Sequence, residues 1–351
     1  MIRRPKTKTI KVGGVKIGGT HPVSIQSMTK TDTRDEKATM RQIKNLEKSG
    51  CDIVRVAIKD ETAARTLKAI KRKARIPVVA DIHFDYRLAL ACIKNGADKI
   101  RINPGNISGK TQLKTIIKAA KKQKIPIRIG INSGSIFRRG QPGAPSSLFV
   151  KTALKYIKLF EREDFRDIII SLKSSDVCDT VRAYKKLRPL CDYPFHVGVT
   201  AAGPYESSIV KSSIGIGSLL LDGIGDTIRV SLTGDPVREV CVAKSILQAL
   251  GIRRFTHEII SCPTCGRCQT DLIKIVNRLQ SDLNAGRHKA DHGRSLAIAI
   301  MGCEVNGPGE ARQADVGVAA GRGAGLLFKK GKVIKRIKEK DFVKEILKAI
   351  N

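Results

Sequence analysis

The strongest constraint on the fold is a pattern that repeats eight times between residue 22 and about residue 250. Each round has a short apolar run rich in Val and Ile, a polar loop, and a segment of helical periodicity rich in Ala, Leu and Lys. A doubly wound open sheet normally stops at five or six strands, whereas eight consecutive βα units within about 250 residues are typical of a barrel. We therefore predict an α/β fold, a (β/α)8 TIM-type barrel, with the strands HPVSIQSM, CDIVRVAI, IPVVADIH, ADKIRIN, IPIRIGIN, DIIISLK, YPFHVGV and GDTIRVSL.

A second domain is indicated where this repeating βα pattern ends, after ALGIRRFTHEII. The rest of the chain alternates differently: a strand, a cysteine loop, a helix, a basic loop around NAGRHKADHGR, the strand SLAIAIMGC, a Gly-rich loop, two strands and the helix DFVKEILKAI. Such an order is typical of a small α+β domain. We place the barrel at residues 1–254 and the α+β domain at residues 255–351.

The charge balance is strongly basic, with 66 Lys plus Arg against 32 Asp plus Glu and a net charge of +34. Such a field attracts polyanions, either nucleic acid or phosphorylated metabolites. Only 4% of the residues are aromatic, which leaves little material for base stacking, and the basic residues are dispersed along predicted helices. We therefore interpret most of these charges as a solvated surface and do not expect nucleic acid as the partner.

The cysteine usage and the apolar runs bear on the location of the protein. Nine cysteines in 351 residues form an odd and thinly spread set, and the N-terminal stretch MIRRPKTKTIKVGGV lacks the apolar segment of a signal peptide. The longest apolar run, SLAIAIM at residues 295–301, is far shorter than the roughly 20 residues that cross a bilayer. We expect a protein of a reducing, cytoplasmic compartment that does not span a membrane.

Polar side chains collect at the carboxyl ends of the predicted strands, where barrels of this type have their active sites. Four of them are arginines within apolar strands, where an unpaired guanidinium is costly and needs an anion. Internal salt bridges to Asp81 or Asp226 are one explanation, and a bound phosphate or diphosphate, which guanidinium groups contact bidentately, is the other. So many cations against so few acids favour the phosphate. The strand-end residues are Arg55, Asp81, His83, Arg101, Asn103, Asn106, Arg128, Asn132, Lys173, Ser175, His196, Thr200, Arg229 and Ser231.

Two histidines in this set, His83 and His196, are candidates for general acids or hydrogen-bond donors, although a single histidine at a strand end often has only a structural role.

The predicted α+β domain contains a separate cysteine motif, ISCPTCGRC, followed by Cys303 in GCEVNGPGEA. The compact spacing of Cys262, Cys265 and Cys268 is closer to iron–sulfur ligation than to the paired knuckles of zinc sites, which rank second. A disulfide is the least favoured reading in a reducing compartment. The loop after Cys303 presents Glu310 at the start of a short helix. The other five cysteines are expected to be buried small apolar residues: Cys51, Cys92, Cys178, Cys191 and Cys241.

Over nearly its whole length the chain resembles the 4-hydroxy-3-methylbut-2-enyl diphosphate synthase family of the non-mevalonate isoprenoid route. The motifs ISCPTCGR and GCEVNGPGEA carry the resemblance, supported by QSMT, RINPGN, GIGDTIRVSL and ADVGVA. The resemblance implies a barrel joined to a small reductase-like domain, and a homodimer in which the barrel of one subunit faces the cluster of the other. It also implies a [4Fe–4S] cluster held by Cys262, Cys265, Cys303 and Glu310.

The reaction that the resemblance implies is the two-electron reductive ring opening and dehydration of 2-C-methyl-D-erythritol 2,4-cyclodiphosphate, with electrons from reduced flavodoxin or ferredoxin. Because a carboxylate is displaced more readily than a thiolate, the iron bearing Glu310 could open to a substrate oxygen. Glu310, His83 and His196 are then the catalytic candidates. The expected substrate-binding residues are Arg55, Asp81, Arg101, Asn103, Arg128, Asn132, Lys173, Ser175, Thr200 and Arg229.

This chain departs from the family pattern at two positions. Where the family has TEAG after the seventh strand, with a Glu associated with proton delivery, this chain has TAAG with Ala201. His83, His196 or Glu206 would then supply the proton, or turnover is altered. Cys268 stands where the family usually has another residue, and we expect it to point away from the cluster.

The competing function is a basic nucleic-acid-binding protein with a structural zinc module.

Overall fold

The computed structural model describes residues 2, 4–107, 109–136, 146–284, 295–305 and 307–350. By its internal contacts the chain divides into two compact units, Met1–Arg253 and Arg254–Asn351. The first unit is a TIM-type barrel and the second is a small α+β domain, which confirms the predicted fold class.

The first unit begins with a short antiparallel hairpin, followed by eight parallel strands. The sheet order is β8-β7-β6-β5-β4-β3-β10-β9, and an isolated parallel bridge between Ile170 and Phe195 brings its two ends together. The hairpin strands are β1 (Ile10–Val12) and β2 (Val15–Ile17). The barrel strands are β3 (Ser24–Met28), β4 (Ile53–Ala57), β5 (Val78–Ile82), β6 (Lys99–Ile102), β7 (Ile127–Asn132), β8 (Ile168–Lys173), β9 (His196–Val197) and β10 (Thr227–Ile228).

The last two barrel strands are shorter than the sequence predicts, with two residues each. Pro194 has no N–H to donate to a neighbouring strand, so the ladder cannot extend toward the start of YPFHVGV beyond the single bridge at Phe195. The other strands are buried along nearly their whole length, as expected for parallel strands covered by helices.

Helices surround the barrel, and five of them begin at an aspartate whose side chain accepts a hydrogen bond from the first-turn backbone. These caps are Asp35, Asp60, Asp85, Asp176 and Asp235, and their charge also complements the helix dipole. The helices are α1 (Glu36–Lys48), α2 (Glu61–Lys73), α3 (Tyr86–Lys94), α4 (Lys110–Lys122), α5 (Ser133–Ile136), α6 (Ser146–Arg162), α7 (Val177–Leu187), α8 (Tyr205–Leu221) and α9 (Pro236–Ala249).

The second unit has a five-stranded sheet in the order β11-β12-β13-β14-β15, parallel up to β13 and antiparallel beyond it. One face packs against two helices around Leu279, Val318 and Phe342, and the other packs against a short helix around Ala311 and Phe328. The predicted basic loop falls at residues 285–294, outside the described residues. The elements are β11 (Glu258–Ser261), α10 (Leu272–Asn284), β12 (Ala297–Met301), α11 (Gly307–Gln313), β13 (Val316–Gly321), β14 (Ala324–Lys329), β15 (Lys332–Lys338) and α12 (Phe342–Ile350).

The five isolated cysteines are not all buried as predicted. Cys51 and Cys92 are buried, and burial raises the pKa of each thiol to about 12. Cys191 is half-buried, while Cys178 and Cys241 are exposed. The prediction was wrong for the last two because each lies on the solvent side of its helix, α7 or α9.

Within the described residues, no helix is both long and apolar enough to cross a membrane.

Candidate active site

The centre of the barrel unit holds a row of ionised side chains on three neighbouring strands. Asp81 on β5 pairs in register with Arg101 on β6, which in turn pairs with Arg128 on β7. All three are 3% exposed or less. A Cβ at Gly130 would lie 2.5 Å from Arg101 Nε, so only glycine at this position of β7 leaves room for the guanidinium.

Asp81 is the carboxylate that balances this row. Its Oδ1 accepts a hydrogen bond from Arg101 Nη1 at 3.1 Å, and its Oδ2 lies 3.7 Å from Arg55 Nε and 3.5 Å from His83 Nε2. Burial raises the pKa of Asp81, but the charges of Arg55 and Arg101 outweigh it and hold the pKa well below its usual range. Asp81 is therefore ionised, and it compensates two arginines.

Arg128 is not compensated in the same way. Among the described residues, no hydrogen-bond partner faces its Nε or Nη1. Burial lowers the pKa of Arg128 well below its usual value, and the charges of Arg55 and Arg101 lower it further. Burial also lowers the pKa of Arg55 to about 9, although Asp81 opposes the change. Buried N–H groups without acceptors indicate a place for an anionic ligand.

Two lysines and a histidine lie around Arg128. Lys173, Lys99 and His196 are 7%, 0% and 0% exposed, and burial followed by the charge of Arg128 lowers the pKa of all three well below their usual values. Lys99 Nζ donates to Gln26 Oε1 at 3.3 Å. His196 Nδ1 lies 3.4 Å from the Thr227 hydroxyl, and its Nε2 has no partner within the described residues.

Glu239, at the start of α9, is a buried carboxylate that the sequence did not identify. Its Oε2 accepts a hydrogen bond from Ser27 Oγ at 2.9 Å and lies 3.6 Å from Arg229 Nε. Its Oε1 lies 3.3 Å from both Lys30 Nζ and Leu232 N. Glu239 thus positions two cations at the ends of β3 and β10. In the sequence it resembles an ordinary first-turn acid, so no signal separates it from a helix cap.

Only some of the internal salt bridges that the sequence allows are present in the structure. Asp81 pairs with Arg55 and Arg101, but Asp226 pairs with Arg4 at 2.7 Å and accepts from Thr7 Oγ1. The strand-end arginines therefore do not share Asp226. Arg128 is left without an acid within hydrogen-bond distance in the described structure.

The other residues predicted to bind the substrate differ in how deeply they are buried. The Asn103 side chain is buried and accepts from Gly105 N at 3.2 Å, which shapes its own loop. Asn132 and Thr200 are half-buried and Ser175 is exposed. The catalytic candidate His83 is 47% exposed, with Nε2 3.2 Å from Arg101 Nη1. Their roles toward a substrate stay predictions.

Ala201, where the resemblance predicts a Glu, has a left-handed backbone with a φ of 49°. This conformation is disfavoured for residues with a Cβ by roughly 1–2 kcal/mol. Ala201 is exposed on the loop after β9. The loop therefore offers room for a longer side chain that Ala201 does not fill.

The second unit contains a cavity of about 370 Å³ around the cysteine motif. Cys262, Cys265, Cys303 and Glu310 all line it. Gly302 N donates to Cys262 Sγ at 3.4 Å. The strand β11 positions Cys262, the strand β12 leads into Cys303, and α11 presents Glu310 in its first turn.

Cys268 is not among the residues that line this cavity, although it packs against one of them, Gly302. Its Sγ donates to Thr270 O at 3.3 Å and packs so closely on Gly302 that a Cβ there would lie 2.4 Å from the sulfur. The thiol also packs against the core of the unit. The expectation that Cys268 points away from a bound cluster stays a prediction.

The donor set fits a polynuclear cluster better than a single metal ion. A tetrahedral zinc site brings its thiolates to roughly 3.8 Å from one another, because each Zn–S bond is about 2.3 Å. Among the described residues, no three His, Cys, Asp or Glu side chains are gathered closely enough to hold one ion. Three thiols and a carboxylate around a cavity of about 370 Å³ leave space for a larger inorganic group.

Comparison with known proteins gives full-length matches. The family model described as the GcpE TIM-barrel domain matches residues 7–244, and that of the GcpE protein C-terminal domain matches residues 258–351. Proteins named 4-hydroxy-3-methylbut-2-en-1-yl diphosphate synthase (flavodoxin) are similar throughout. The one from Ruminiclostridium cellulolyticum is 52% identical over 100% of this chain and 98% of its own length, and the one from Geobacillus kaustophilus is 49% identical over 100% and 93%.

Among solved structures, the dihydropteroate synthase of Xanthomonas albilineans is similar in fold, with a TM-score of 0.51 and 12% identity. The match covers 70% of this chain and 99% of that one. At this identity the likeness concerns the barrel fold alone.

Proposed function

The chain belongs to the GcpE family, and we propose that it forms (E)-4-hydroxy-3-methylbut-2-enyl diphosphate by two-electron reductive ring opening and dehydration of 2-C-methyl-D-erythritol 2,4-cyclodiphosphate. It is thus an oxidoreductase of isoprenoid biosynthesis. The observation that carries the proposal is the buried group of cations around Arg128, with too few acids to balance it. The nucleic-acid-binding alternative is abandoned, because the full-length relatives are enzymes.

The barrel cations would bind the diphosphate of the substrate. Arg128 has two nitrogens without acceptors, Nε and Nη1, and guanidinium groups donate charge-assisted hydrogen bonds to phosphate oxygens. Lys173 and Arg229 lie close enough to Arg128 to influence its surroundings electrostatically. A bound diphosphate would therefore supply the negative charge that this part of the barrel lacks.

The [4Fe–4S] cluster would be held by Cys262, Cys265, Cys303 and Glu310. When bound, it would supply single electrons and a Lewis-acidic iron, with Glu310 as the ligand that is displaced more readily than a thiolate. The exposure of Glu310 supports this assignment, because an exposed carboxylate moves aside without leaving a buried charge. Cys268 is assigned a packing role against Gly302.

Protons would reach the leaving oxygen from His83 in this chain. His83 is about half-exposed, and its Nε2 lies within hydrogen-bond distance of Arg101 Nη1 at the substrate-facing row. His196 is fully buried, and burial lowers its pKa well below its usual value, so it is neutral near pH 7. A neutral imidazole suits a hydrogen bond to the substrate better than proton donation.

The cluster assignment is tested with single serine variants of the holoprotein, prepared anaerobically. Cys262→Ser, Cys265→Ser and Cys303→Ser should lose iron, sulfide and visible absorption, while Cys268→Ser should retain all three. Loss of iron in Cys268→Ser would contradict the ligand set. A colourless wild-type protein that retains zinc and no iron would refute the proposed function.

The missing acid is tested with Ala201→Glu in an anaerobic assay of cyclodiphosphate turnover. Because both residues have a Cβ, the left-handed backbone is no more strained by Glu than by Ala, and stability should change by less than about 0.5 kcal/mol. If no other group replaces the family's acid, kcat should rise by about 100-fold or more, the lower end of the range for one general acid. An unchanged kcat would indicate that His83 already performs this role, and His83→Gln should then abolish turnover.

The assembly and the donor remain part of the proposal. Reduced flavodoxin is the proposed donor, since the relatives are named for it. A homodimer in which each barrel uses the partner's cluster would allow an Arg128→Met subunit and a Cys303→Ser subunit, mixed together, to recover activity that neither has alone. A cytoplasmic location is proposed because thiolate ligands require a reducing compartment.

A further inference from the structure

A second cavity, of about 500 Å³, lies next to the cysteine cavity in the second unit. The two cavities share one loop: Cys303 and Gly307 line the cysteine cavity, while Glu304 and Pro308 line the second one. A molecule in the second cavity would therefore be separated from the proposed cluster by little more than this loop. No step of the proposed reaction uses this cavity.

The floor of the second cavity is made of very small residues on β13 and β14. Ala319, Gly321, Ala324 and Gly325 line it, and the side-chain oxygens of Glu304 and Gln269 border Gly321, at 3.7 and 3.8 Å from the position of an added Cβ. No long side chain of these four stands above the sheet, so a flat ring can approach the backbone closely. Such a floor suits an aromatic group presented edge-on or flat by a partner.

The sides of the cavity are basic. Arg322, in the turn between β13 and β14, and Arg336 on β15 both line it and are exposed. Glu304 is the single acid among its lining residues. Arg336 pairs in register with Leu326, and Lys338 lies two residues further along the same face of β15. The cavity thus lies within a positively charged edge of the sheet.

Exposed apolar side chains accompany these charges. Leu326 lines the cavity and is 38% exposed, and Val333 and Ile334 on the edge strand are 48% and 54% exposed. Apolar contacts surrounded by a charged, solvated rim are the usual anatomy of a protein interface. Interfaces of electron-transfer partners are at the small end of the size range, so a patch of a few side chains is enough.

We infer that this surface, defined by Arg322, Leu326, Val333 and Arg336, docks the reduced flavodoxin that supplies the enzyme with electrons. The flavin edge would lie over the small-residue floor, and the acidic groups of the carrier would contact the two arginines. Each docking event passes one electron from the reduced flavin to the cluster, and two events supply the two electrons of ring opening. The inference rests on the proposed function and adds the location of its partner.

The test compares two double variants of the full-length holoenzyme. Arg322→Glu/Arg336→Glu reverses the charge of the proposed surface. Lys274→Glu/Arg278→Glu makes the same change of charge on the exposed side of α10, none of whose residues line the cavity. Turnover of the cyclodiphosphate is measured with reduced flavodoxin and, separately, with dithionite-reduced methyl viologen, which needs no protein surface.

The first variant should raise KM for flavodoxin about tenfold, since two exposed attractions become repulsions. The control variant should change it less than about twofold, and the viologen-driven rate and the cluster absorption should stay as in the wild type. Higher salt should reduce the difference in KM between the wild type and the first variant, because it screens exposed charges.

Three results would overturn the inference. Equal KM values for flavodoxin in the two variants would show that the carrier docks elsewhere. An equal loss of flavodoxin-driven and viologen-driven rates in the first variant would show that the surface serves catalysis. A change in oligomeric state in that variant alone would show that the face binds a second copy of the chain. In all three cases the proposed function stands, whereas it fails if the wild type turns over the cyclodiphosphate with neither donor.

Discussion

Replacement of Arg128 by methionine should stabilise the free barrel while it weakens substrate binding. Arg128 is 1% exposed, its Nε and Nη1 have no partner within the described residues, and the nearby Arg55 and Arg101 repel it. Methionine fills a similar volume with a flexible apolar chain. The substitution therefore removes an uncompensated buried charge without opening a large cavity.

The magnitude follows from the burial of the group. Replacing buried charges by well-packed apolar residues stabilises proteins by about 1–4 kcal/mol, and we expect about 2 kcal/mol here. For a unit of this size that corresponds to a rise in Tm of about 4–8 °C. The same substitution removes a charge-assisted contact to the diphosphate that is worth about 2–5 kcal/mol, so Kd should increase by about 30-fold or more.

Arg101→Met is the matched control, because Arg101 is the in-register neighbour of Arg128 and is equally buried. It differs in having an acid: Asp81 Oδ1 lies 3.1 Å from Arg101 Nη1. Without Arg101, the buried Asp81 loses its hydrogen-bonded arginine and keeps only Arg55 at 3.7 Å, so we expect a destabilisation of about 3 kcal/mol, the low end for breaking a buried pair. The two variants should thus shift Tm in opposite directions while both weaken substrate binding.

The assay is thermal unfolding of the anaerobic holoprotein, with and without the cyclodiphosphate, together with calorimetric titration of the ligand. Cluster absorption is recorded for each variant, to confirm that the second unit is intact. If Arg128→Met loses stability as Arg101→Met does, Arg128 has a compensating partner and the cation excess does not explain the site. If Arg128→Met gains stability but keeps its substrate affinity, the diphosphate binds elsewhere.

The barrel should take up protons when it binds the cyclodiphosphate. In the free protein, burial and the charge of Arg128 lower the pKa of Lys99, Lys173 and His196. A bound anion raises the pKa of all three. Titrations at pH 8 in buffers of different ionisation enthalpy should show this uptake and weaker binding at higher pH; identical heats would contradict it. Glu239→Gln should raise KM for the cyclodiphosphate about tenfold with a smaller change in kcat, since Arg229 and Lys30 lose a charged neighbour worth about 1–2 kcal/mol. An unchanged KM would restrict Glu239 to a structural role.

The barrel could be predicted because its signal is local and repeated. Parallel strands buried on both faces appear as short apolar runs, and the amphipathic helices between them have a different period. The ends of those strands also locate the active site without any three-dimensional information. That rule was enough to identify the buried row Asp81, Arg101 and Arg128 before its geometry was known.

The remaining parts of the site depend on tertiary neighbours. Glu239 lies on a helix, and its contact with Ser27 joins residues 212 positions apart in the chain. Lys99 lies two residues before Arg101 within the same strand, so its burial beside Gln26 follows from the closure of the barrel and not from a local pattern. The exposure of Cys178 depends on how its helix packs, which hydrophobic composition alone does not determine.

The scarcity of acids links the composition of the chain to its chemistry. Most aspartates at helix starts serve as caps, and few acids reach the interior of the barrel. Asp81 pairs with both Arg55 and Arg101, and Glu239 pairs with Arg229 and Lys30, so each of these two acids is shared between two cations. The free barrel is therefore less stable than its apolar core alone would make it, and a dianionic or more highly charged ligand relieves that repulsion. Since a ligand that binds only the folded state stabilises it in proportion to the logarithm of its concentration over Kd, a fixed concentration of cyclodiphosphate should raise Tm less in Arg128→Met, whose Kd is higher, than in the wild type. The bound substrate therefore supplies the negative charge that the interior of the barrel lacks.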